Sequence, residues 1–570
     1  MFSDPVVGEN FFGRQEIVDL LVKRASALKS GYRQNVAIIG HQQLGKTSVL
    51  RQFLHVFRDS ETLPIYVEIK FQALDYFIDQ FARALLFQYL LGHPPAGGTG
   101  VCAEPTDTLA VLSEKAQPLI PKTVVRITEI AALLRQRHAE EAYVRLFELT
   151  QVLKDETGMN SIVVLDEFHR LGEFGIKNAF SDFGKRIMVQ KHTMYLLSSS
   201  SFSQSRKILA EKLLLLFGHF ERIYLDAFDF DTSFEFIRQK MAPVGLPHAL
   251  QSFLVSLTDG HPFFLENLVS RLREISLSRG EEIAGRQSVA EACMKLFYES
   301  QGVLNQYFSK LISPWTQSTS SAMKPSADRR GSHVLILAEI AEGRNRLKDI
   351  AQSINRGQRE TTVQLQQLVE HELLVKNGVF YRFHSKTFRF WLKEVYRKKE
   401  LSLLDTSAKS DNFIQRMSLL MGEEEVLLSS DVSTRLVGLL SEFKNDIVEL
   451  GEKKRKLPHF SEFLRSAQSE LSVLGSSREI IARGHGRCWV CKITEEKATE
   501  REVLDLVQGS QDRKTGHTKV LLALKGLDDN AKLLAKEKRV LTLSLSRINL
   551  LMDLYGKPPI IQSSLVPQSI

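Results

Sequence analysis

The sequence predicts an α/β fold with a parallel sheet at its centre, and three stretches predict it. Val36 to Ile39 is a short apolar run that leads into Gly40-His41-Gln42-Gln43-Leu44-Gly45-Lys46-Thr47 and then into a helical run, Ser48 to Phe57. Ile162 to Leu165 is a second apolar run and ends in Asp166-Glu167. A third, beginning at His192, ends in four serines, Ser198 to Ser201. A strand covered on both faces reads as a continuous apolar run. Such strands open at their carboxyl ends into the crevice where α/β proteins hold ligands.

The first stretch carries chemistry. Gly40-x-x-x-x-Gly45-Lys46-Thr47 fits the pattern G-x-x-x-x-G-K-[ST] at every fixed position. Its glycines let the backbone turn tightly, so that successive N–H groups point at phosphate oxygens. Lys46 supplies a point charge for terminal phosphates, and the Thr47 hydroxyl is placed to ligate Mg²⁺. The helix that follows adds its positive end. The candidate nucleotide contacts here are Gly40, Gln43, Gly45, Lys46, Thr47 and Ser48. Asp166 is the second candidate metal ligand, and Glu167 is the residue expected to polarise a water for in-line attack.

Length and composition set the frame. A chain of 570 residues is too long for one core. Its 43% apolar and 25% charged residues are those of an ordinary globular protein. No run of 18 apolar residues is present, so no membrane span is expected. The opening MFSDPVVGENFFG lacks a basic segment followed by an apolar one, and four cysteines suggest no disulfide framework. A cytoplasmic location is therefore expected. The net charge is +8, and residues 451–570 hold 21 Lys and Arg against 14 Asp and Glu, or +7 of it. A basic terminal region suits either nucleic acid or a solvated surface.

In chain order, Phe11-Phe12-Gly13-Arg14 precedes a helical pattern through Ile17, Leu20, Leu21, Ala25 and Leu28. Leu63 to Ile69 reads as a strand. Tyr76 to Leu91 reads as a helix with Phe77, Phe81 and Leu85 on its core face. Gly92 to Thr106 is a Pro/Gly-rich break, Leu109 to Leu134 a helical insertion, and Glu140 to Asp155 one helix. A helix end, a turn through Gly218-His219-Phe220-Glu221-Arg222 and a fifth strand follow. Helices are expected at Phe234 to Met241 and Leu250 to Leu257, then Asp259-Gly260-His261-Pro262.

Together these motifs resemble the P-loop ATPases of the AAA+ and signal-transduction (STAND) type, in particular an archaeal and bacterial family with a winged helix and a nuclease-like tail. The resemblance rests on the Gly40 loop, Asp166-Glu167 and Gly260-His261-Pro262, over residues 10–280. It implies ATP and Mg²⁺ as cofactors, with Phe12, Gly13, Arg14 and Pro262 against the adenine. It implies a polar residue after the fourth strand that reads the γ-phosphate: Ser199, with Ser198 and Ser200 as alternatives. It implies an arginine facing a phosphate in its own chain or a neighbour's, for which Arg222 is the candidate and Arg206 the second. A trans role would make the protein a homo-oligomer. Arg271 is a candidate second sensor.

The remaining chain divides by composition. Core, helical lid and Ser/Thr/Pro-rich linker are expected over 1–232, 233–312 and 313–332. Residues 333–398 read as three helices and a hairpin turning at Asn377-Gly378, a winged helix-turn-helix. Its third helix, Gln358 to His371, is not strongly basic, which favours a protein-interaction module over a DNA reader. Residues 399–458 read as a helical connector, with Arg435 to Leu450 as a helical stripe and Lys453-Lys454-Arg455-Lys456 as a solvated run.

Residues 459–570 read as helix (Phe460 to Leu474), two strands (Glu479 to Ala482, Cys488 to Ile493), then helix, strand, helix and strand. That order resembles a restriction-endonuclease-like fold. Lys492 and Cys491 match its PD-(D/E)xK site, but Val490 stands where a metal-binding acid belongs, with Glu479 or Glu470 left to supply the other. An inactive adaptor is expected. Cys488 and Cys491 would point to opposite faces of a strand, against a zinc role. The reading is an ATP-driven switch coupling nucleotide state to a module that contacts double-stranded DNA or a protein. The alternative is an ATP-regulated DNA-binding protein or nuclease whose nucleotide is structural.

Overall fold

The computed structural model describes residues 4–93, 103–213, 220–316, 330–401, 406–451, 453–466, 478–484, 486–508 and 517–561. The chain forms two compact units, residues 1–227 and 228–570.

The first unit is built on five strands: β1 (Asn35–Ile39), β2 (Thr62–Glu68), β3 (Asn160–Asp166), β4 (Thr193–Ser199) and β5 (Phe220–Tyr224). They lie in the order β2-β3-β4-β1-β5, and every pair is parallel. The continuous apolar runs have their reason in two cores. Val36 and Ile38 pack with Phe53, Leu50 and Leu21 from helices α1 (Gln15–Ala27) and α2 (Lys46–Val56) on one face. Ala37 and Ile39 pack on the other face with Phe77 and Phe81 of helix α3 (Leu74–Gly92) and with the helical insertion.

The chain leaves β1 toward β2 on one side of the sheet, and β5 is placed on the other. The order therefore reverses at β1, the position where open α/β sheets hold ligands. β4 lies between β1 and β3, so the serines that end β4 fall between the Gly40 loop and Asp166.

Two readings in this unit change. Glu140 to Asp155 is two helices, Ala139–Leu146 and Leu149–Thr157. The Phe147 carbonyl accepts the Gln190 side chain, and the Phe147 ring is buried against Phe81, Tyr143 and Phe183. A further helix, Ala179–Val189, had no counterpart in the sequence reading. Much of the Gly92–Thr106 break, and Gly218-His219, lie outside the described residues.

The second unit begins with helices Phe230–Met241, His248–Thr258 and Pro262–Ser278. Gly260 before the last of these has φ +68°, and a Cβ there would stand 2.2 Å from the Phe228 carbonyl oxygen. Helix Val303–Thr316 and helix Arg330–Ala341 extend into both ends of the stretch read as a linker; residues 317–329 lie outside the described residues. Helices Leu347–Ser353 and Gln358–Glu370 follow, then the hairpin of β6 (Leu374–Asn377) and β7 (Phe380–Phe383), turning at Gly378. Arg346 adds an isolated antiparallel bridge to Phe380.

The stretch read as a helical connector is a helix only in part. Thr406–Ser429 and Val432–Leu440 are helical. Then β8 (Ile447–Leu450) pairs with β9 (Lys453–Lys456) in an antiparallel hairpin. Val448 and Leu450 are buried with a period of two, which the sequence reading had absorbed into a helical stripe. The basic run is the exposed strand β9.

The β6–β7 turn docks on β8. The Val379 N–H donates to the Ile447 carbonyl at 3.1 Å, and the Asn377 side chain exchanges two hydrogen bonds with the Glu449 backbone. Phe380 shares a core with Phe443 and Leu436 and meets Tyr555 at 5.1 Å between ring centroids. Asp446 accepts from Arg346 at 3.0 Å and from the Tyr555 hydroxyl at 2.8 Å. The three-helix module, the β8–β9 hairpin and the terminal sheet are thus packed as one body.

That terminal sheet has the order β10 (Glu462–Ser466), β11 (Arg478–Gly484), β12 (Arg487–Thr494), β13 (His517–Ala523), β14 (Leu541–Ser544). β10-β11-β12 are antiparallel and β12-β13-β14 parallel. Residues 462–466, read as part of a helix from Phe460, are an edge strand, because β11 supplies backbone partners that spacing does not reveal. Val490 is buried in an apolar cluster, and Lys492 pairs with Asp505 at 3.2 Å. Glu479 lies opposite Lys492 in β11; Glu470 is outside the described residues. Cys491 and Cys488 pack into different clusters, on opposite faces of β12. No helix among the described residues is long and apolar enough to cross a membrane.

Candidate functional site

The Gly40 loop, Asp166, Glu167 and Ser198 to Ser200 converge at the carboxyl ends of β1, β3 and β4. Gly40 ends β1. A Cβ on it would lie 2.6 Å from the Leu225 carbonyl oxygen, so the close passage of β5 requires glycine. Gly45 takes φ +91°, a left-handed conformation that glycine adopts without strain. Gln43 is also left-handed, at φ 61°, and helps to turn the loop. Lys46 is buried, and its Nζ donates to the His41 carbonyl at 2.7 Å. The ammonium therefore lies across the loop.

Asp166 is the hub. Its Oδ2 accepts from the Thr47 hydroxyl at 2.7 Å and from the Tyr66 hydroxyl at 3.0 Å, and its Oδ1 accepts from the Ser198 hydroxyl. Asp166 is 1% exposed, and its charge is held by this ring of donors. Burial, and then the Asp166 carboxylate, push the Tyr66 hydroxyl well above the ordinary tyrosine range, which keeps it a donor.

Glu167 follows in the left-handed region, at φ 61°. A non-glycine residue there costs on the order of 1–3 kcal/mol and persists only where neighbours hold it. Its Oε2 accepts from the Ser200 N–H at 2.9 Å and the Ser200 hydroxyl at 2.7 Å, with His169 Nδ1 at 3.3 Å. Ser199, the preferred serine in the sequence reading, instead meets His169 Nδ1 at 2.8 Å, and its carbonyl accepts the Gly40 N–H at 3.2 Å. The three serines divide the work: Ser198 on Asp166, Ser199 on His169, Ser200 on Glu167.

The N-terminal segment crosses the helix that leaves the loop. The Val6 N–H donates to the Ser48 hydroxyl at 3.1 Å and the Gly8 N–H to the Gln52 side-chain Oε1 at 2.8 Å. Ser48 thus anchors this segment. Gly13 and Arg14 both take positive φ, and the Arg14 guanidinium reaches the Asp226 carbonyl beyond β5. Phe12 lies on this path.

Arg222 is not in a turn. It is the third residue of β5, paired with Ala37. That register is three residues, roughly 10 Å, short of the loop at about 3.3 Å per residue. Arg206 is better placed. Phe202 of helix Phe202–Lys207 stacks on His41 of the loop at 6.0 Å, and Arg206, four residues on, shares its helix face. Pro262 and Arg271 belong to the second unit, where Pro262 opens helix Pro262–Ser278 and Arg271 pairs with Glu274 at 2.8 Å.

Tyr66 and His169 were not in the sequence reading. Tyr66 lies inside an apolar run with nothing to mark it, and only the β2–β3 register brings it beside Asp166. His169 carries a local signal, an imidazole two residues beyond Glu167. The donor set fits a triphosphate and a small hard cation: the loop backbone and the Lys46 ammonium for phosphate, and the hydroxyl and carboxylate oxygens of Thr47 and Asp166 for Mg²⁺.

Residues 10–177 match the family model described as AAA ATPase domain. No curated protein matches the chain. Among solved structures, a Walker-type ATPase of Pyrococcus abyssi is similar at 16% identity and a TM-score of 0.42, covering 69% of this chain and 99% of that one. The ORC2 protein of Aeropyrum pernix in its ADPNP–ADP complexes is 13% identical over 75% of this chain and 98% of its own, with a TM-score of 0.42. The ORC1 protein of the same organism in complex with DNA is 14% identical over 70% and 96%, with a TM-score of 0.35. At these identities and scores the solved structures assign no function. The family match covers the Gly40 loop, Tyr66, Asp166 and Glu167 in one segment, and residues 10–177 carry an AAA ATPase domain.

Proposed function

We propose that the protein is an ATP-hydrolysing switch whose nucleotide state controls the partner contacts of residues 228–570. The observation that carries this is the 2.7 Å bond between Thr47 and Asp166, at the end of the strand pair that brackets the serines, with Glu167 next in chain. Bound Mg²⁺ would supply charge neutralisation at the phosphates. Thr47 and Asp166 would hold it, Lys46 would turn from the His41 carbonyl to phosphate, and backbone N–H groups of the loop would orient the rest. Glu167, released from Ser200, would accept the proton of the attacking water, and Ser199 or Ser200 would fix that water's position. Arg206 is the favoured phosphate-facing arginine within the chain; Arg222, exposed on an edge strand, suits a neighbouring copy better.

Residues 330–383, as three helices and a hairpin, support the winged-helix reading. Because this module and the terminal sheet share a core, the pair would move as one. A nuclease is not proposed, since Val490 is an apolar core residue. A second reading, contact with double-stranded DNA, is favoured by one observation: β9 presents four consecutive exposed cations on an edge strand.

The experiment is Mg²⁺-dependent ATP turnover of the full chain beside Lys46→Ala, with and without duplex DNA. Turnover lost in the variant, with an unchanged melting curve, supports the switch. Equal turnover in both proteins overturns it. Stimulation by DNA favours the second reading for the partner.

A further inference from the structure

We propose that the first unit holds a second binding site, for a small anion built on a planar ring, in a cavity joined to Asp166 through one side chain. The cavity has a volume of about 290 Å³ and lies between α2, β2 and α3. Its lining includes the rings of Tyr66, Tyr76 and Phe87, the cations of Arg51, Lys70 and Arg83, and one carboxylate, Glu68. That volume is near the lower end for ligand pockets and suits one ring with one charged group.

The charge balance selects an anion. Lys70 is neutralised by Glu68 at 3.0 Å. Arg83 donates to the carbonyls of Asp107 and Pro105, which do not neutralise it, and its nearest carboxylate, Asp79, is 3.9 Å away. Arg51 has no carboxylate partner among the described residues; its guanidinium lies over the Tyr66 ring, 4.0 Å from the centroid. A planar fork of donors above an aromatic face is suited to an oxyanion attached to a ring.

The same tyrosine is the link. Its ring forms the cavity wall beneath Arg51, and its hydroxyl donates to Asp166 Oδ2, the oxygen that also accepts from Thr47. A ligand that draws Arg51 off the ring changes the packing of Tyr66 and with it one of the donors that hold Asp166. A bound anion acts on turnover only through its different affinity for the two arrangements. The coupling, though not the site, rests on the ATPase reading above.

The probe is phenyl phosphate, titrated calorimetrically into the full chain, into Lys46→Ala and into Arg51→Gln, each checked by its melting curve. The expected result is equal binding by the first two and binding about tenfold weaker in Arg51→Gln, the loss of one charge-assisted pair. No binding to the wild type, loss in Lys46→Ala, or full binding in Arg51→Gln overturns the site. For the coupling, ATP turnover is measured with and without phenyl phosphate in wild type and Tyr66→Phe. A severalfold change in the wild type that is absent in Tyr66→Phe supports it; the same change in both, or none in the wild type, refutes it. A chain that binds phenyl phosphate through Arg51 but turns over no ATP loses the coupling and the switch while keeping the site.

Discussion

Glu167→Gln is the substitution on which the hydrolytic reading depends. In the structure one carboxylate oxygen, Oε2, takes both Ser200 contacts, at 2.9 and 2.7 Å. The carbonyl of glutamine accepts both in the same place. The variant then forfeits only the 3.3 Å approach of His169, so its stability changes by less than about 1 kcal/mol. Thr47, Asp166 and Lys46 are untouched, and ATP affinity stays within about threefold. What disappears is the basic oxygen. General-base catalysis contributes roughly 10²- to 10⁴-fold, or about 3–5 kcal/mol of barrier. Phosphate release in Mg²⁺ and ATP should fall by that factor while calorimetric ATP binding is kept. Turnover within about threefold of wild type, with affinity unchanged, would refute the role of Glu167.

Three other perturbations test the second unit. Gly378→Ala places a Cβ 1.8 Å from the Ile447 carbonyl oxygen at φ +59°; undocking the turn costs the two Asn377 hydrogen bonds and left-handed strain, about 3 kcal/mol together, seen as a lower denaturant midpoint and faster amide exchange over 447–456. Burial pushes the Glu424 carboxyl up to about 7, against a partial opposing effect of Arg435. A carboxyl raised on folding binds its proton more tightly in the native state, so its contribution is present at low pH and lost as pH rises from about 4.5 to about 7. Glu424→Gln should remove that decline and gain up to about 3 kcal/mol over wild type above pH 7; parallel stability–pH curves would count against it. Lys453→Glu with Arg455→Glu should lower the salt dependence of duplex DNA binding by a slope of about 2 if β9 meets phosphates, and an unchanged slope removes β9 from the interface.

The site was legible in the sequence wherever chemistry demands particular residues at a local spacing. Gly40, Gly45, Lys46 and Thr47 are neighbours because one loop must turn, open its N–H groups and present a cation. Asp166 and Glu167 announce themselves because a buried apolar strand ends abruptly in charge. The same locality made β1 to β5, α2, α3 and the hairpin at Asn377-Gly378 readable, since period and turn chemistry act within a few residues. Strand order was decided elsewhere. Only with β4 between β1 and β3 do the serines separate into holders of Asp166, His169 and Glu167, and only the β2–β3 register turns Tyr66 from a core residue into a donor to Asp166. The same holds for β8, β9 and β10, where partner strands satisfy backbone groups that spacing alone had given to a helix and a linker. It holds also for Arg222, which three residues of register hold away from the loop. Residue type and spacing determined which chemistry this chain carries; hydrogen-bond partners from distant segments decided which side chains attend it.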